Sequence, residues 1–325
     1  MKKTTQKTLQ FYWEQATHYK ITVIVTVLSV TGIALLQAII PLYFKRFIDL
    51  IAGSTPVTAH ISEFILILFF IAGLELIHWA FRRISTFSVS YFESHIMADL
   101  TDLCFAYLHK HSFAFFDNSF GGSLVKKVKW FANAFETIAD RILSDIMPLV
   151  LNIGFIVIIL AQRNIWLGFG VFIWAIVFIG INTVFSNWKL EYDIKRNEAE
   201  THATGLLADT ITNHSVLRLF NGYGRELHKF QGENAKVQKL RIFTWNLNNI
   251  FDAIQGFLAI ILEIGIMMFA VFLWKRGALT IGDFFLIQTY LGSIFMHIWD
   301  FGRVLRNVYE RLSDAEEMTV ILTTP

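Results

Sequence analysis

The chain has 325 residues, of which 54% are apolar, 15% aromatic and only 17% charged, and its mean hydropathy is +0.50. Soluble domains carry about 25% charged residues, so this composition excludes an ordinary soluble protein and indicates one that lies in a bilayer. The net charge of +2 argues against nucleic acid as a partner, and a single cysteine excludes an intramolecular disulfide framework.

Six segments are predicted to cross the membrane as helices. A crossing helix needs about 20 mostly apolar residues, and an open sheet in lipid would leave backbone groups unpaired. Two segments, 21–44 and 165–188, are apolar and contain no charged residue. The predicted spans are, in chain order, about 21–44, 62–84, 143–161, 165–188, 251–274 and 282–301.

The connections between these spans are very unequal in length. About 60 residues follow the second span and about 60 follow the fourth, whereas the other connections are short. The two long intervals therefore lie on one side of the membrane. Together with the two terminal segments they hold 23 of the 28 Lys and Arg residues, so the positive-inside rule places this side, and both termini, in the cytoplasm.

Each long interval is compatible with helix except near its middle. Turn-forming residues cluster at 117–123 in the first interval and at 221–224 in the second. We therefore predict two cytoplasmic stalks, 85–142 and 189–250, each made of two helices joined by a turn at the tip. Thirty helical residues at about 1.5 Å each would carry a tip roughly 40 Å from the membrane.

Three local segments carry further information. The first tip contains Phe115-Phe116-Asp117-Asn118-Ser119-Phe120-Gly121-Gly122, and the second contains Val216-Leu217-Arg218-Leu219-Phe220-Asn221-Gly222-Tyr223. Before the last span comes Gly277-Ala278-Leu279-Thr280-Ile281-Gly282-Asp283, in which Thr280 or Asp283 is expected to cap the following helix.

In this order and with this sidedness, the segments resemble the transmembrane domain of ATP-binding cassette (ABC) exporters of the six-helix type. The resemblance implies an all-α membrane protein with long cytoplasmic helical extensions, forming one domain over 1–325 and dimerising with a second such domain. It also implies that both tips act as coupling helices that contact a nucleotide-binding domain. The residues carried over for that contact are Phe115, Phe116, Asp117, Phe120, Gly122, Phe220, Asn221, Gly222, Tyr223, Arg225 and Glu226.

The sequence contains neither a Gly-x-x-x-x-Gly-Lys-Ser/Thr phosphate loop nor a Leu-Ser-Gly-Gly segment. We therefore expect no catalytic residue and no bound cofactor in this chain, which is not an enzyme on its own. The resemblance implies that ATP and Mg²⁺ are bound by a partner nucleotide-binding domain. That domain would be either a separate chain or a missing C-terminal half.

Several polar residues fall inside the predicted spans, where such residues face a cavity, a partner or the protein interior. Glu75 and His78 share a helix face, and Glu263 lies near the middle of the fifth span. Each is interpreted either as lining a cavity or as pairing between or within helices. Gln37, Gln255 and Gln288 are open to the same two interpretations. The histidines show no metal-ligand spacing, so no metal site is predicted.

The sequence thus predicts the membrane-spanning subunit or domain of an ATP-driven exporter, in the plasma (inner) membrane of a bacterium. An alternative is a membrane regulator or receptor that reuses the exporter fold without transporting. A membrane-embedded enzyme is a third interpretation, although no acid, base and nucleophile cluster together in the sequence.

Overall fold

The computed structural model describes residues 3–53, 61–117 and 121–324, and within them every regular element is helical. In chain order the elements are α1 (Lys3–His18), α2 (Lys20–Ala52), α3 (Ile61–Leu108), α4 (Phe113–Asp117), α5 (Gly121–Asp140), a π-helix (Arg141–Ile146), α6 (Met147–Arg163), α7 (Ile165–Thr212), α8 (His214–Leu219), α9 (Tyr223–Lys275), α10 (Ile281–Ile298) and α11 (Phe301–Leu322).

Six helical regions of the described chain are long and apolar enough to cross a membrane. Each contains one of the six predicted spans, so the prediction of an all-α membrane protein with six such helices is confirmed. The helices are much longer than a span requires. With 48 residues each, α3 and α7 extend about 72 Å, more than twice the roughly 30 Å of the hydrocarbon core.

The chain divides into two units, residues 1–176 with 262–325, and residues 177–261. In the first unit, one apolar cluster joins α1, α3, α5 and α11, with Ile96, Leu100 and Phe131 fully buried. The hydroxyl of Tyr12 donates a hydrogen bond to the Phe131 carbonyl oxygen at 2.7 Å. Because these segments lie outside the predicted spans, the first stalk has a packed core of its own.

A second apolar cluster of the same unit joins α6, α10 and the parts of α7 and α9 that belong to this unit. Its fully buried members include Leu286, Leu291 and Ile294 on α10, a helix that is apolar along most of its length. The hydroxyl of Tyr290 crosses to the Ala38 carbonyl oxygen on α2 at 2.6 Å. This pairing satisfies the one polar atom that the tyrosine brings into the apolar core.

The second unit contains α8 and the adjoining parts of α7 and α9, including the whole second stalk. The rings of Phe185 and Phe251 stack at 3.7 Å between centroids and are nearly parallel. Farther along, Arg241 of α9 is 2.6 Å from Glu200 of α7. The two arms of this stalk are therefore held by apolar stacking near one end and by ion pairing in the middle.

The start of α10 confirms the predicted cap. Thr280 precedes the helix in an extended conformation, and its backbone N–H donates to the Asp283 carboxylate at 2.8 Å. The Thr280 hydroxyl also donates to that carboxylate, at 2.9 Å. A carboxylate in the first turn is favourable at a helix N-terminus, so local chemistry explains where the last span begins.

Candidate coupling tips and intramembrane polar residues

The first tip lies between α3 and α5 and contains the short helix α4. Phe115 is half-buried, and its ring stacks on His111 at 4.2 Å with 17° between the planes. Phe116 lies nearly perpendicular to it at 5.5 Å and is 42% exposed. Asp117 and Gly122 are exposed, and Phe120 lies outside the described residues. The predicted residues thus include one aromatic ring anchored in the stalk and one that faces outward.

The second tip is built by a helix-ending motif after α8. Asn221 adopts a left-handed conformation with φ of 48°, which asparagine tolerates better than most residues. The N–H of Gly222 donates to the Leu217 carbonyl oxygen at 3.0 Å, and that of Asn221 donates to Arg218 at 3.4 Å. These two bonds form a Schellman motif, which ends one helix and turns the chain sharply.

The turn exposes large apolar side chains. Leu219, Phe220 and Tyr223 are 81%, 78% and 70% exposed. Arg225 is also exposed, whereas the Glu226 side chain beside it is mostly covered and lies 3.8 Å from the Arg225 guanidinium. Leu219, the most exposed of the three, was not among the residues predicted for the contact, although it stands one residue before Phe220 in the same segment.

Charged and titratable side chains also contact one another within the second stalk. Glu233 on α9 lies 2.7 Å from Lys236 and 3.4 Å from His202 on α7. The hydrogen bond from Lys236 lowers the pKa of Glu233, and the charges of Lys236 and His202 lower it further. Glu233 therefore contacts both arms of the stalk, His202 on α7 and Lys236 on its own helix.

Within the spans, Glu75 and His78, which were predicted to share a helix face, lie side by side, and Glu263 and Gln288, which were named separately, form a pair. His78 Nδ1 lies 3.5 Å from a Glu75 carboxylate oxygen, while His78 Nε2 is buried without a hydrogen-bond partner. The Gln288 side chain on α10 donates to the Glu263 carboxylate on α9 at 2.6 Å. Both arrangements are pairings within or between helices, and Glu75 keeps half of its side chain exposed.

Gln37 belongs to a polar cluster whose members were not predicted to meet. The Asn152 side chain on α6 donates to the Gln37 side chain on α2 at 3.0 Å and lies 3.4 Å from His297 Nε2 on α10. Asn152 is almost fully buried. These contacts tie three helices of the first unit together inside an apolar environment, where unpaired polar groups are costly.

A second cluster that was missed joins α2, α6 and α10. Lys45 Nζ lies 2.6 Å from Asp49 and 3.4 Å from Asp283, and Arg163 lies 3.7 Å from Asp283. The N–H of Gly282 donates to Asp49 at 2.7 Å. Lys45 and Asp49, four residues apart after an apolar run, were the signal in the sequence that indicated part of this cluster. Their partners on α6 and α10 lie far away in the sequence.

In the second unit, Gln255 on α9 donates to the Asn182 side chain on α7 at 2.8 Å, and both side chains are buried. About two turns farther along α7, where the predicted second stalk begins, Lys189 bonds both carboxylate oxygens of Asp193 within 3.0 Å, again buried. Gln255 therefore takes part in packing between two helices.

Comparison with known proteins agrees with this architecture. The family model described as ABC transporter transmembrane region matches residues 22–298. A solved structure described as a bacterial Atm1-family ABC exporter with ATP bound superposes with a TM-score of 0.72 at 20% identity, covering 94% of this chain and 54% of that one. At this identity the superposition shows a shared fold.

Curated relatives agree at low identity. The ATM1-type heavy metal exporter of Novosphingobium aromaticivorans is 23% identical over 231 residues, covering 69% of this chain and 37% of that protein. Heavy metal tolerance factor 1 of Caenorhabditis elegans is 22% identical over 295 residues, covering 87% and 36%. The chain thus spans little more than a third of the length of these relatives.

Proposed function

Because this chain belongs to the family of ABC transporter transmembrane regions, we propose that it forms the translocation pathway of an ATP-driven exporter. It works with a second transmembrane domain, identical or different, and with nucleotide-binding domains. Those domains are supplied by a separate chain or by a further part of the same polypeptide, and they bind the ATP and Mg²⁺. This chain performs no catalysis itself.

The exposed second tip is the observation that carries the proposal. Leu219, Phe220 and Tyr223 present large apolar surfaces at the end of a long stalk, where water makes their exposure unfavourable. Aromatic side chains that fill pockets of a partner contribute most of the binding energy at interfaces. Motion of the ATPase domains would reach the spans through such anchors, and the rigid stalk helices would act as levers.

The first tip supports the same role. Phe116 faces outward while Phe115 stays anchored to His111, so a push on the tip reaches the packed core of the first stalk. We place both tips, and both chain termini, in the cytoplasm, and the chain in the plasma (inner) membrane of a bacterium. Most Lys and Arg residues flank the spans on that side.

The intramembrane pairs are the first places to look for substrate contacts. Glu75 keeps an exposed carboxylate beside His78, and the Glu263–Gln288 pair lies at the surface of its unit. The names of the relatives make heavy-metal compounds the first class of substrate to test for stimulation of ATP hydrolysis.

The proposal is tested by reconstituting the transporter in lipid vesicles with its cognate nucleotide-binding domains. We expect Phe220→Ala combined with Tyr223→Ala to weaken assembly and substrate-stimulated ATP hydrolysis at least tenfold, since each lost anchor costs more than about 1 kcal/mol. The matched control is Tyr309→Ala, which removes a similarly exposed tyrosine from α11, outside both tip segments of the sequence.

Two outcomes would contradict the proposal. Unchanged assembly and hydrolysis in the double variant would show that the second tip is not the coupling contact. If no ATPase co-purifies with the wild-type chain and no ATP-dependent transport is found, the chain is instead a membrane regulator or receptor built on the exporter fold.

A further inference from the structure

The register between α2 and α3 fixes where the charged residues of α3 lie relative to the apolar run of α2. The rings of Tyr43 on α2 and Phe70 on α3 stack at 6.1 Å between centroids. Eleven residues away on both helices, a Cβ added to Gly32 would lie 3.0 Å from the Phe81 ring. The two antiparallel helices therefore keep one register, and Phe81 lies at the level of Gly32, in the middle of the run 21–44.

Arg82 and Arg83, the next two residues, lie near this level. The predicted span 62–84 puts them at its cytoplasmic end, where a long cationic side chain can reach the interface. Relative to α2, however, they lie about 17 Å along the helix from either end of the uncharged run, close to the middle of the hydrocarbon core that this run spans. Both residues are exposed, and among the described residues neither guanidinium has an ion-pair partner.

The side chains of α3 sort into three faces around the helix axis at this depth. Ile67 and Ile71 are buried, and together with Phe81 they lie on the face directed towards α2. A second face is apolar and forms part of an open apolar groove: Leu66, Phe70, Gly73 and Ile77. The third face, which we call the polar face, is exposed and carries polar side chains at helical spacing: Glu75, Arg82, Thr86 and Ser90. One exposed face therefore suits lipid, and the other suits water.

The charges on the polar face do not balance. Glu75 lies 3.5 Å from His78, and seven residues, about 10 Å of helix, separate it from Arg82. The Thr86 and Ser90 hydroxyls donate to carbonyl oxygens of α3 itself, at 2.8 and 3.0 Å. The two arginines therefore concentrate positive charge. Charged residues at membrane depth face a partner or a water-filled cavity, and they mark the paths of substrates and ions.

We propose that the polar face of α3 lines a water-filled part of the translocation pathway, and that Arg82 and Arg83 bind a negatively charged group of the transported compound there. A guanidinium group bonds carboxylate or phosphate oxygens through two parallel N–H groups. Low-dielectric walls concentrate the field of such charges in a cleft, which attracts anions and repels cations. The inference rests on the proposed function and adds to it the charge of the substrate.

The test measures how fast introduced cysteines react with two membrane-impermeant methanethiosulfonate reagents, one carrying a sulfonate and the other a quaternary ammonium group. The full chain is labelled in lipid nanodiscs without ATP. Its single cysteine, Cys104, is buried and gives an unreactive background. Thr86→Cys places a thiol on the polar face, one turn from Arg82. Ile84→Cys is the matched control, because Ile84 is also exposed but lies off the polar face.

We expect Thr86→Cys to react at least about tenfold faster than Ile84→Cys, because the reactive thiolate forms in water and not in lipid. After division by the rates of a free thiol, the anionic reagent should be favoured at Thr86→Cys. Changing Arg82 and Arg83 together to Gln should reduce this preference at least about fivefold, since the two reagents differ by two units of charge. Changing both to Lys keeps the charge and should preserve the preference.

Hexyl phosphate tests anion binding directly. It should slow the labelling of Thr86→Cys at concentrations at which hexylammonium does not, because the arginines bind the phosphate group. The protection should disappear when Arg82 and Arg83 are both changed to Gln. If that variant does not fold, the comparison of hexyl phosphate with hexylammonium in Thr86→Cys alone decides the matter.

Four results would overturn the inference. They are equal reactivity of Thr86→Cys and Ile84→Cys, a reagent preference that survives the loss of both arginines, equal protection by hexyl phosphate and hexylammonium, and loss of the preference in nanodiscs that contain phosphatidylglycerol. In the last case a lipid headgroup occupies the arginines. Labelling needs neither ATP hydrolysis nor the coupling tips, so these results leave the proposed function standing, and Phe220→Ala with Tyr223→Ala tests that function separately.

Discussion

Lys45 is the side chain whose replacement tests the packing of the first unit most sharply. Its side chain is 10% exposed, and its ammonium lies 2.6 Å from Asp49 and 3.4 Å from Asp283. The Thr280 hydroxyl is 3.0 Å away. Lys45→Met keeps most of the apolar stem and removes the charge, so that two carboxylates are left close together in a largely covered site.

The expected cost follows from what remains. Removing one partner of a buried ion pair typically costs about 3–5 kcal/mol, because the other charge stays buried. Here several compensating contacts survive. Gly282 still donates its N–H to Asp49 at 2.7 Å, Arg163 stays 3.7 Å from Asp283, and the Thr280 N–H still donates to Asp283 at 2.8 Å. We therefore expect Lys45→Met to lower the free energy of unfolding by about 2–3 kcal/mol.

The assay is chemical or thermal unfolding of the full chain in lipid nanodiscs, followed by tryptophan fluorescence. Lys275→Met is the control, since it removes an exposed lysine just before the turn that leads to Thr280. Adding Asp49→Asn to Lys45→Met should recover part of the loss, because it removes one of the uncompensated charges.

Two results would refute this reasoning. If Lys45→Met is no more destabilising than Lys275→Met, the cluster contributes nothing to stability and its charges are effectively solvated. If the double variant is less stable than Lys45→Met alone, repulsion between carboxylates is not the cause of the loss.

Three further outcomes are expected in the same unfolding assay. Gly282→Ala should lower stability by about 1–3 kcal/mol, because an added Cβ would overlap the Lys45 carbonyl oxygen; wild-type stability would contradict the close approach of α2 and α10. Tyr12→Phe should cost about 1–2 kcal/mol, since the Phe131 carbonyl loses a buried donor, and a neutral result would mean that water replaces it. Gln288→Leu should cost about 0.5–2 kcal/mol by leaving Glu263 without its donor, and no loss would argue that Glu263 is solvated.

The six helices were predictable because length and apolarity act locally. In lipid, an apolar run such as 165–188 can form all of its backbone hydrogen bonds within itself only as a helix. The start of α10 follows from Thr280 and Asp283, which are three residues apart. The tips were predictable for a related reason, since Asn221-Gly222 stops a helix in any context. The short helix α8 before that turn was not predicted, because six residues carry too little periodicity to be recognised.

The polar residues inside the bundle show the limit of sequence reasoning. Glu263, Gln37 and Gln255 were each identified as significant because a polar side chain in a span needs a partner. Their partners could not be named, since any span can in principle face any other. Glu93, which is buried, was not singled out at all, because a glutamate in a helix outside the spans is usually exposed.

The sequence by itself determined that this is a six-helix membrane protein, and it predicted on which side of the membrane the stalks lie and where each stalk turns. Those properties depend on transfer of apolar residues out of water and on backbone preferences over a few residues. Only the tertiary structure decided which charges compensate one another. Lys45 meets a residue 235 positions away, and the Tyr12 hydroxyl meets the carbonyl oxygen of Phe131, 119 positions away. Packing rather than local preference brings such groups within a few ångströms.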